Sequence, residues 1–251
     1  MRLKDKVALL TAAAGAGIGQ ATARAMAKEG AKVVVTDAHP KRFHGIAQDI
    51  AKEFGVETLG MQCDVTSKEQ VEGVVKAALE KFGRIDILFN NAGINRLTPV
   101  VDMTDEVWEL VINTCLRGTF YTCRAVLPSM IKHNFGRIIN VASVAGFIGM
   151  GDGQAHYGAA KAGIMEFTRC LAMEYAKHYV TANAIAPGFI YNDFLSRIYP
   201  PEEIKRMHES IPYARKGAPQ DIANIAVFLA SDEGEYVTGQ TICAAGGSYM
   251  H

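Results

Sequence analysis

Short runs of aliphatic and β-branched residues alternate along the chain with longer stretches whose apolar positions recur every three or four residues. The strand-like runs lie at 7–11, 32–36, 57–62, 85–89, 137–141, 180–185 and 241–243. The helical patterns lie at 18–29, 41–54, 68–82, 105–131, 155–178 and 220–230. Runs such as Val7-Ala8-Leu9-Leu10 are continuously apolar, which suits strands buried on both faces. Strand–helix alternation at this spacing predicts an α/β fold: a doubly wound, seven-stranded parallel sheet forming a single domain over 1–251. The least regular stretch is 189–213, where Pro200, Pro201 and Pro212 surround a short charged helix. In a chain without linker or repeat, such an insertion is expected to be a functional, substrate-facing loop.

With 251 residues, 49% of them hydrophobic, the chain can bury one large core. Its 26 basic and 26 acidic residues cancel, and no basic stripe or polybasic helix points to nucleic acid or to a membrane surface. Cys63, Cys115, Cys123, Cys170 and Cys243 are scattered and form no Cys-x-x-Cys. They indicate neither a disulfide framework nor a metal site, and they fit a reducing compartment. The segment from Met1 to Gly19 imitates a signal peptide, but Asp5 spoils its basic region, and a buried strand running into a glycine turn reads better. No run of 18 apolar residues exists, so a cytoplasmic protein without a membrane span is expected.

The first turn, Thr11-Ala12-Ala13-Ala14-Gly15-Ala16-Gly17-Ile18-Gly19, follows a strand and opens a helix. Glycines there let backbone approach a pyrophosphate, and free N–H groups at a helix start can hold the anion. Asp37 ends the second strand, where a carboxylate can accept hydrogen bonds from both ribose hydroxyls of an adenosine. A 2′-phosphate would be repelled there, so NAD is expected rather than NADP, with Lys41 and Arg42 as the opposing signal.

On a helical projection of the 155–178 pattern, Tyr157, Lys161, Ile164, Thr168, Leu171 and Tyr175 share one stripe. Glu166, Arg169, Glu174 and Lys177 fall opposite. An ammonium in an otherwise buried stripe is costly unless something needs it, and a phenol one turn away is a candidate. Taken alone, the pair is equally compatible with a lysine that reaches the surface beside a packed tyrosine.

Four further segments add specificity: Asn90-Asn91-Ala92-Gly93, Val111-Ile112-Asn113-Thr114, Ile138-Ile139-Asn140-Val141-Ala142-Ser143, and Pro187-Gly188. With Tyr157 and Lys161, and with Val237-Thr238-Gly239-Gln240 and Gly246-Gly247 near the end, the chain resembles the short-chain dehydrogenase/reductase family in its single-domain branch, and looks 3-oxoacyl-reductase-like. That resemblance implies a Rossmann fold and hydride transfer between NAD(H) and a secondary alcohol or ketone. It implies Gly15, Gly17, Ile18 and Gly19 at the pyrophosphate, Asp64 and Val65 near the adenine, Asn90 and Ala92 near the adenine ribose, and Gly93 among the cofactor-binding residues. Pro187, Gly188 and Ile190 would meet the nicotinamide. Ser143 would orient the substrate oxygen, Tyr157 exchange its proton, Lys161 hold the nicotinamide ribose, and Asn113 anchor a water that links Lys161 to solvent. The chain departs from the family pattern in several places. Ala12 or Ala13 stands where the first glycine belongs, Ser143 and Tyr157 are one residue further apart, Asn192 replaces a frequent Thr, and Ala245 replaces a frequent Asp.

Met150, Gln154, Phe189, Tyr191, Phe194 and Met207 suggest a mainly apolar substrate pocket; core packing is the competing reading for Met207. Trp108 reads as core or subunit-interface packing, and His156 as a bystander to Tyr157. The expected partners are a small alcohol or ketone and, as the resemblance implies, further copies of the chain in a homotetramer. A catalytically silent dinucleotide-binding regulator is the alternative function. A longer-branch epimerase or dehydratase would need more chain than this one has.

Overall fold

The computed structural model describes residues 1–192, 195 and 199–250. Seven parallel strands form one sheet: β1 (Val7–Leu10), β2 (Lys32–Asp37), β3 (Thr58–Gln62), β4 (Ile87–Asn90), β5 (Gly136–Val141), β6 (Val180–Pro187) and β7 (Thr241–Ala244). Their spatial order is β3-β2-β1-β4-β5-β6-β7. The winding reverses between β1 and β4, and an open parallel sheet binds ligands in the crevice beyond its strand ends at such a point. The expected doubly wound sheet is therefore present.

The continuous apolar runs explain the layering. In β1, Ala8 and Leu10 face a cluster with Ala23, Met26, Ile222 and Ala226, contributed by α1 (Ile18–Lys28) and α8 (Pro219–Ala230). Val7 and Leu9 face the other cluster, with Val71 and Val75 of α3 (Lys68–Phe82), Val126 of α5 (Gly118–His133) and Leu171 of α6 (Ala155–Tyr175). Every residue of β1, β5 and β6 is buried. These strands thus bury both faces, so strict alternation of polar and apolar residues does not arise in them. The remaining helices are α2 (Arg42–Phe54), α4 (Asp105–Ile112) and α7 (Pro201–Glu209), the last being the short charged helix of the irregular stretch. Among the described residues no helix is long and apolar enough to cross a membrane.

The largest departure from the sequence reading is the long helix expected over 105–131. It is two helices, α4 and α5, joined by a π turn at Asn113–Arg117. The amide of Gly118 bonds back to the carbonyl of Asn113, one residue further than an α-helix allows. Thr114 Oγ1 donates to Leu110 O, and Thr119 Oγ1 to Cys115 O, both at 2.7 Å. Such back-bonding loosens the regular ladder. An apolar period cannot distinguish an α turn from a π turn, so the break left no mark in the pattern. Smaller differences sit at element ends: β6 runs on to Pro187, and α8 starts one residue early at Pro219, whose missing N–H costs nothing at the first helical position.

Two backbone positions fix the first turn. Ala12 has φ +49°, in the left-handed region where a Cβ is unfavourable by roughly 1–2 kcal/mol. It is this alanine, not Ala13, that adopts the conformation a glycine prefers. Gly19 lies so close to the turn that a Cβ would stand 2.4 Å from Ala12 O and 2.7 Å from Asn91 Nδ2. At Gly17, by contrast, nothing lies within 4 Å of that position and φ is −163°. Gly19→Ala should therefore cost about 2–3 kcal/mol and lower Tm by roughly 4–10 °C, while Gly17→Ala leaves Tm within about 2 °C. Thermal unfolding of both variants checks this, and equal Tm values would contradict the geometry.

Candidate active site

The site begins at the first turn. Thr11 Oγ1 accepts the amides of Asn91 and Ala92 at 2.9 and 3.0 Å. Asn91 Nδ2 donates to Thr11 O and Ala12 O at 3.2 and 3.0 Å. The side chain of Asn91 thus clamps the end of β4 to the turn after β1, a role the sequence reading did not assign it. Beyond the clamp, Gly15 and Gly17 leave open space where side chains would begin. Helix α1 starts there with no side-chain cap and no acidic residue in its first turn. Its leading N–H groups and positive dipole end therefore carry no anionic partner from their own helix. Asp37 stands at the end of β2, its carboxylate accepting the amides of Ala14 (3.3 Å) and His39 (2.9 Å). A glycine-lined gap, a helix start and a carboxylate in one row fit a nicotinamide dinucleotide.

At the other end of the row, α6 carries Tyr157 and Lys161 on the stripe its sequence predicts. Lys161 is 3% exposed and donates from Nζ to Val141 O at 2.7 Å, so it does not reach the surface. The ammonium lies 5.4 Å from the centroid of the Tyr157 ring. Ser143 follows β5, and its Oγ accepts the amide of Ala145 at 3.2 Å. Burial pushes the Tyr157 phenol above its ordinary range; a hydrogen bond from Ser143 acts in the opposite sense. Burial pulls Lys161 down, and the nearby sulfur of Cys115 opposes that. His156, beside Tyr157 in sequence, is fully buried, and burial lowers its pKa.

Cys115 was not among the expected site residues. Its sulfur lies in the neighbourhood of Lys161: a side chain at Gly93 would begin 3.5 Å from Cys115 Sγ and 3.4 Å from Lys161 Nζ. Among the described residues the Asn113 side chain makes no hydrogen bond to Lys161, Tyr157 or Ser143.

Other expected contacts are redirected. The Asn90 amide is enclosed: Nδ2 donates to Asn140 Oδ1 at 2.9 Å and Oδ1 accepts from Thr122 at 2.6 Å. Asn140 in turn donates to Thr168 at 2.9 Å. This chain of side chains ties α5 and α6 to the sheet and satisfies the Asn90 side chain within the protein. The amide of Ala92 is taken by Thr11. Asp64 Oδ1 accepts from Thr66 N and Thr66 Oγ1, and the Val65 side chain is buried against Gly118. Gly93 is exposed and borders Lys161: a side chain there would begin 3.4 Å from Nζ. Pro187 closes β6, the amide of Gly188 bonds Ala244 O at 3.0 Å, and Ile190 bridges to Gly217.

The region beside Tyr157 is more polar than expected. Gln154 is 4% exposed; its Oε1 accepts from Asn95 Nδ2 at 2.8 Å and its Nε2 donates to Asp152 at 2.8 Å. Tyr199, from the irregular stretch, hydrogen-bonds Gln154, and burial with the charge of Asp152 pushes its phenol up to about 12. Met150, Phe189 and Met207 are partly buried, whereas Tyr191 is 40% exposed with Lys216 Nζ 4.2 Å from its ring centroid. Phe194 lies outside the described residues.

Comparison with known proteins agrees with this layout. The family profile described as Enoyl-(Acyl carrier protein) reductase matches residues 12–249. The chain is 42% identical over 250 residues to the 3-oxoacyl-[acyl-carrier-protein] reductase FabG of Vibrio cholerae serotype O1, covering 100% of both chains. It is 41% identical over 250 residues to the FabG of Escherichia coli (strain K12), again covering 100% of both. To the FabG of Thermotoga maritima it is 41% identical over 248 residues, covering 98% of this chain and 99% of that protein. With its seven-stranded parallel sheet, and matched from end to end at this identity, the chain belongs to the short-chain dehydrogenase/reductase family.

Proposed function

We propose that this chain is an NAD(H)-dependent oxidoreductase that interconverts a secondary alcohol and a ketone, with 3-oxoacyl thioesters as the leading substrate class. The observation that carries the reading is the buried Lys161 ammonium beside Tyr157, at the carboxyl end of the same strand row as the glycine-lined first turn. When bound, the nicotinamide supplies or accepts the hydride. The chain's part is to hold the dinucleotide, orient the substrate oxygen and move one proton on it. Gly15, Gly17, Ile18 and Gly19 would cradle the pyrophosphate, Asp37 the adenosine ribose, and Lys161 the nicotinamide ribose. Ser143 would bond the substrate oxygen.

Tyr157 is the proton carrier in this scheme. A phenol ionises near ~10, and bringing it to ~7 requires about 4 kcal/mol of preferential stabilisation of the phenolate. A unit positive charge about 4–5 Å away contributes roughly 3–4 kcal/mol at an effective dielectric near ~20. In the free protein burial raises the Tyr157 phenol, with the Ser143 hydrogen bond acting against it, and Tyr157 stays protonated. That state suits a donor to a ketone oxygen, so the resting enzyme is poised for reduction. The identity to 3-oxoacyl-[acyl-carrier-protein] reductases supports the same direction and substrate class. The hydroxyl of Tyr199 and the amide of Gln154 place polar groups near Tyr157, suited to the second carbonyl of such a thioester.

A homotetramer accompanies this reading. Trp108 and Leu110 of α4, Phe120 of α5 and Met173 of α6 are exposed, and Met173 is 85% so. Trp108 is thus a surface side chain, available to a subunit interface rather than to the core.

Tyr157→Phe should lower kcat for reduction of a 3-oxoacyl thioester by roughly 10²–10⁴-fold while NADH affinity stays within about twofold. Stopped-flow turnover and NADH fluorescence titration check the two halves; parent-like turnover would remove Tyr157 from the mechanism. Asp37→Ser should narrow the ratio of NADH to NADPH efficiency by at least about tenfold, through loss of a ribose contact and of repulsion towards a 2′-phosphate. A kcat/KM comparison with both cofactors tests it, and an unaltered ratio would show that Asp37 does not meet the ribose.

A further inference from the structure

A cavity of about 350 Å³ opens where the ends of β6 and β7 meet the segment between α7 and α8. Its walls are mostly apolar, with Phe189, Ile190, Ile211, Tyr213, Tyr249 and Met250 the largest of them. The volume falls within the roughly 300–1,000 Å³ of small-molecule sites. The turn after β7 makes the enclosure possible. Gly246 and Gly247 have φ +60° and +86°, which sends the chain end back over residues 211–213. Tyr213 N donates to Gly246 O at 3.0 Å, and a Cβ at Gly246 would stand 2.7 Å from Ile211 Cγ2. The two charged lining residues, Arg215 and Asp221, pair with each other at 2.7 Å, and the amide of Ala218 donates to the same carboxylate at 2.8 Å. These charges satisfy one another, which leaves the apolar walls to select the ligand.

Two walls connect the cavity to the reacting centre. Phe189 and Ile190 follow the end of β6, the strand paired with β5, and β5 leads into Ser143. Tyr249 stacks on Phe147, with ring centroids 5.0 Å apart and planes at 17°. Phe147 in turn packs on the cluster of Ala160, Ile164 and Ala186, on which Tyr157 also packs. We propose that the cavity holds the acyl tail of the substrate, the carbons beyond the ketone on the side away from the thioester. The proposal rests on the oxidoreductase reading. An apolar wall gains from every methylene it covers, whereas a charged or polar tail would lose water here without gaining a partner. At about 30 Å³ for each water-sized group, the volume accepts a tail of up to roughly ten carbons. The substrates served best are therefore medium-chain 3-oxoacyl thioesters.

The test measures kcat/KM with NADH for the N-acetylcysteamine thioesters of 3-oxobutanoate, 3-oxohexanoate and 3-oxodecanoate. It compares the parent with Ile211→Trp and Cys243→Phe, which fill the cavity and leave Ser143, Tyr157 and Lys161 in place. Calorimetry with the butanoyl and decanoyl thioesters, which lack the ketone, reads binding alone. In the parent, kcat/KM should rise at least about tenfold from the shortest to the longest substrate, since each buried methylene contributes roughly three- to fourfold. In both variants the rise should shrink to under about threefold, while 3-oxobutanoyl turnover and NADH affinity stay within about twofold of the parent. Should Ile211→Trp fail to fold, Cys243→Phe decides. A flat chain-length profile in the parent, or a parent-like rise in the folded variants, overturns the inference. So does a changed oligomeric state, read by light scattering, in variants whose profile stays parental, because the cavity is then a subunit contact. A different result separates the two readings. A parent that reduces no ketone, yet binds the decanoyl thioester at least about tenfold more tightly than the butanoyl one and loses that margin in the variants, would defeat the functional reading and leave the acyl site standing.

Discussion

One charge sets the terms for this active site: an ammonium held out of water at the carboxyl end of a parallel sheet. Lys161 is almost wholly buried, and a buried cation persists only where neighbours repay its desolvation. Val141 O does so directly, accepting from Lys161 Nζ at 2.7 Å. Much of the surrounding architecture follows from that requirement. Helix α6 packs on β5 and β6, and the loop after β4 passes beside the ammonium at Gly93. The Asn90–Asn140–Thr168 bonds pin α6 to the sheet beside this centre, so the lysine cannot relax towards solvent.

A second constraint governs the opposite end of the cleft. The first turn must come within contact distance of α1 and of the loop after β4, and Gly19 and Asn91 make that approach possible. The turn tolerates Ala12 in a left-handed conformation although the residue is not glycine. The clamp from Asn91 holds its carbonyl in place and offsets the unfavourable backbone. The space over Gly15 and Gly17 stays clear while the backbone beneath is rigid.

Most of the fold was legible from periodicity because the strands bury both faces and the helices bury one. All seven strands and the helix stripe of Tyr157 and Lys161 appear where the apolar pattern puts them. What the pattern could not carry is pitch and side-chain direction. The π turn at Asn113–Arg117 interrupts the helix expected over 105–131, and the apolar period gives no sign of it. Asn90 has the composition of a binding residue, yet its amide is satisfied by Asn140 and Thr122, partners far away in sequence. The polar group made by Asn95, Gln154 and Tyr199 joins three separated segments, so no local window could reveal it.

The central claim is that Tyr157 is protonated at rest and becomes acidic only when positive charge gathers beside it. The direct measurement is an NMR titration of the phenol carbon in protein carrying labelled tyrosine, with and without NAD⁺. The account predicts that the Tyr157 signal titrates above the ordinary value of ~10 in the free protein and falls by about two to three pH units on NAD⁺ binding. A Tyr157 signal that titrates at the same pH in both states would contradict it.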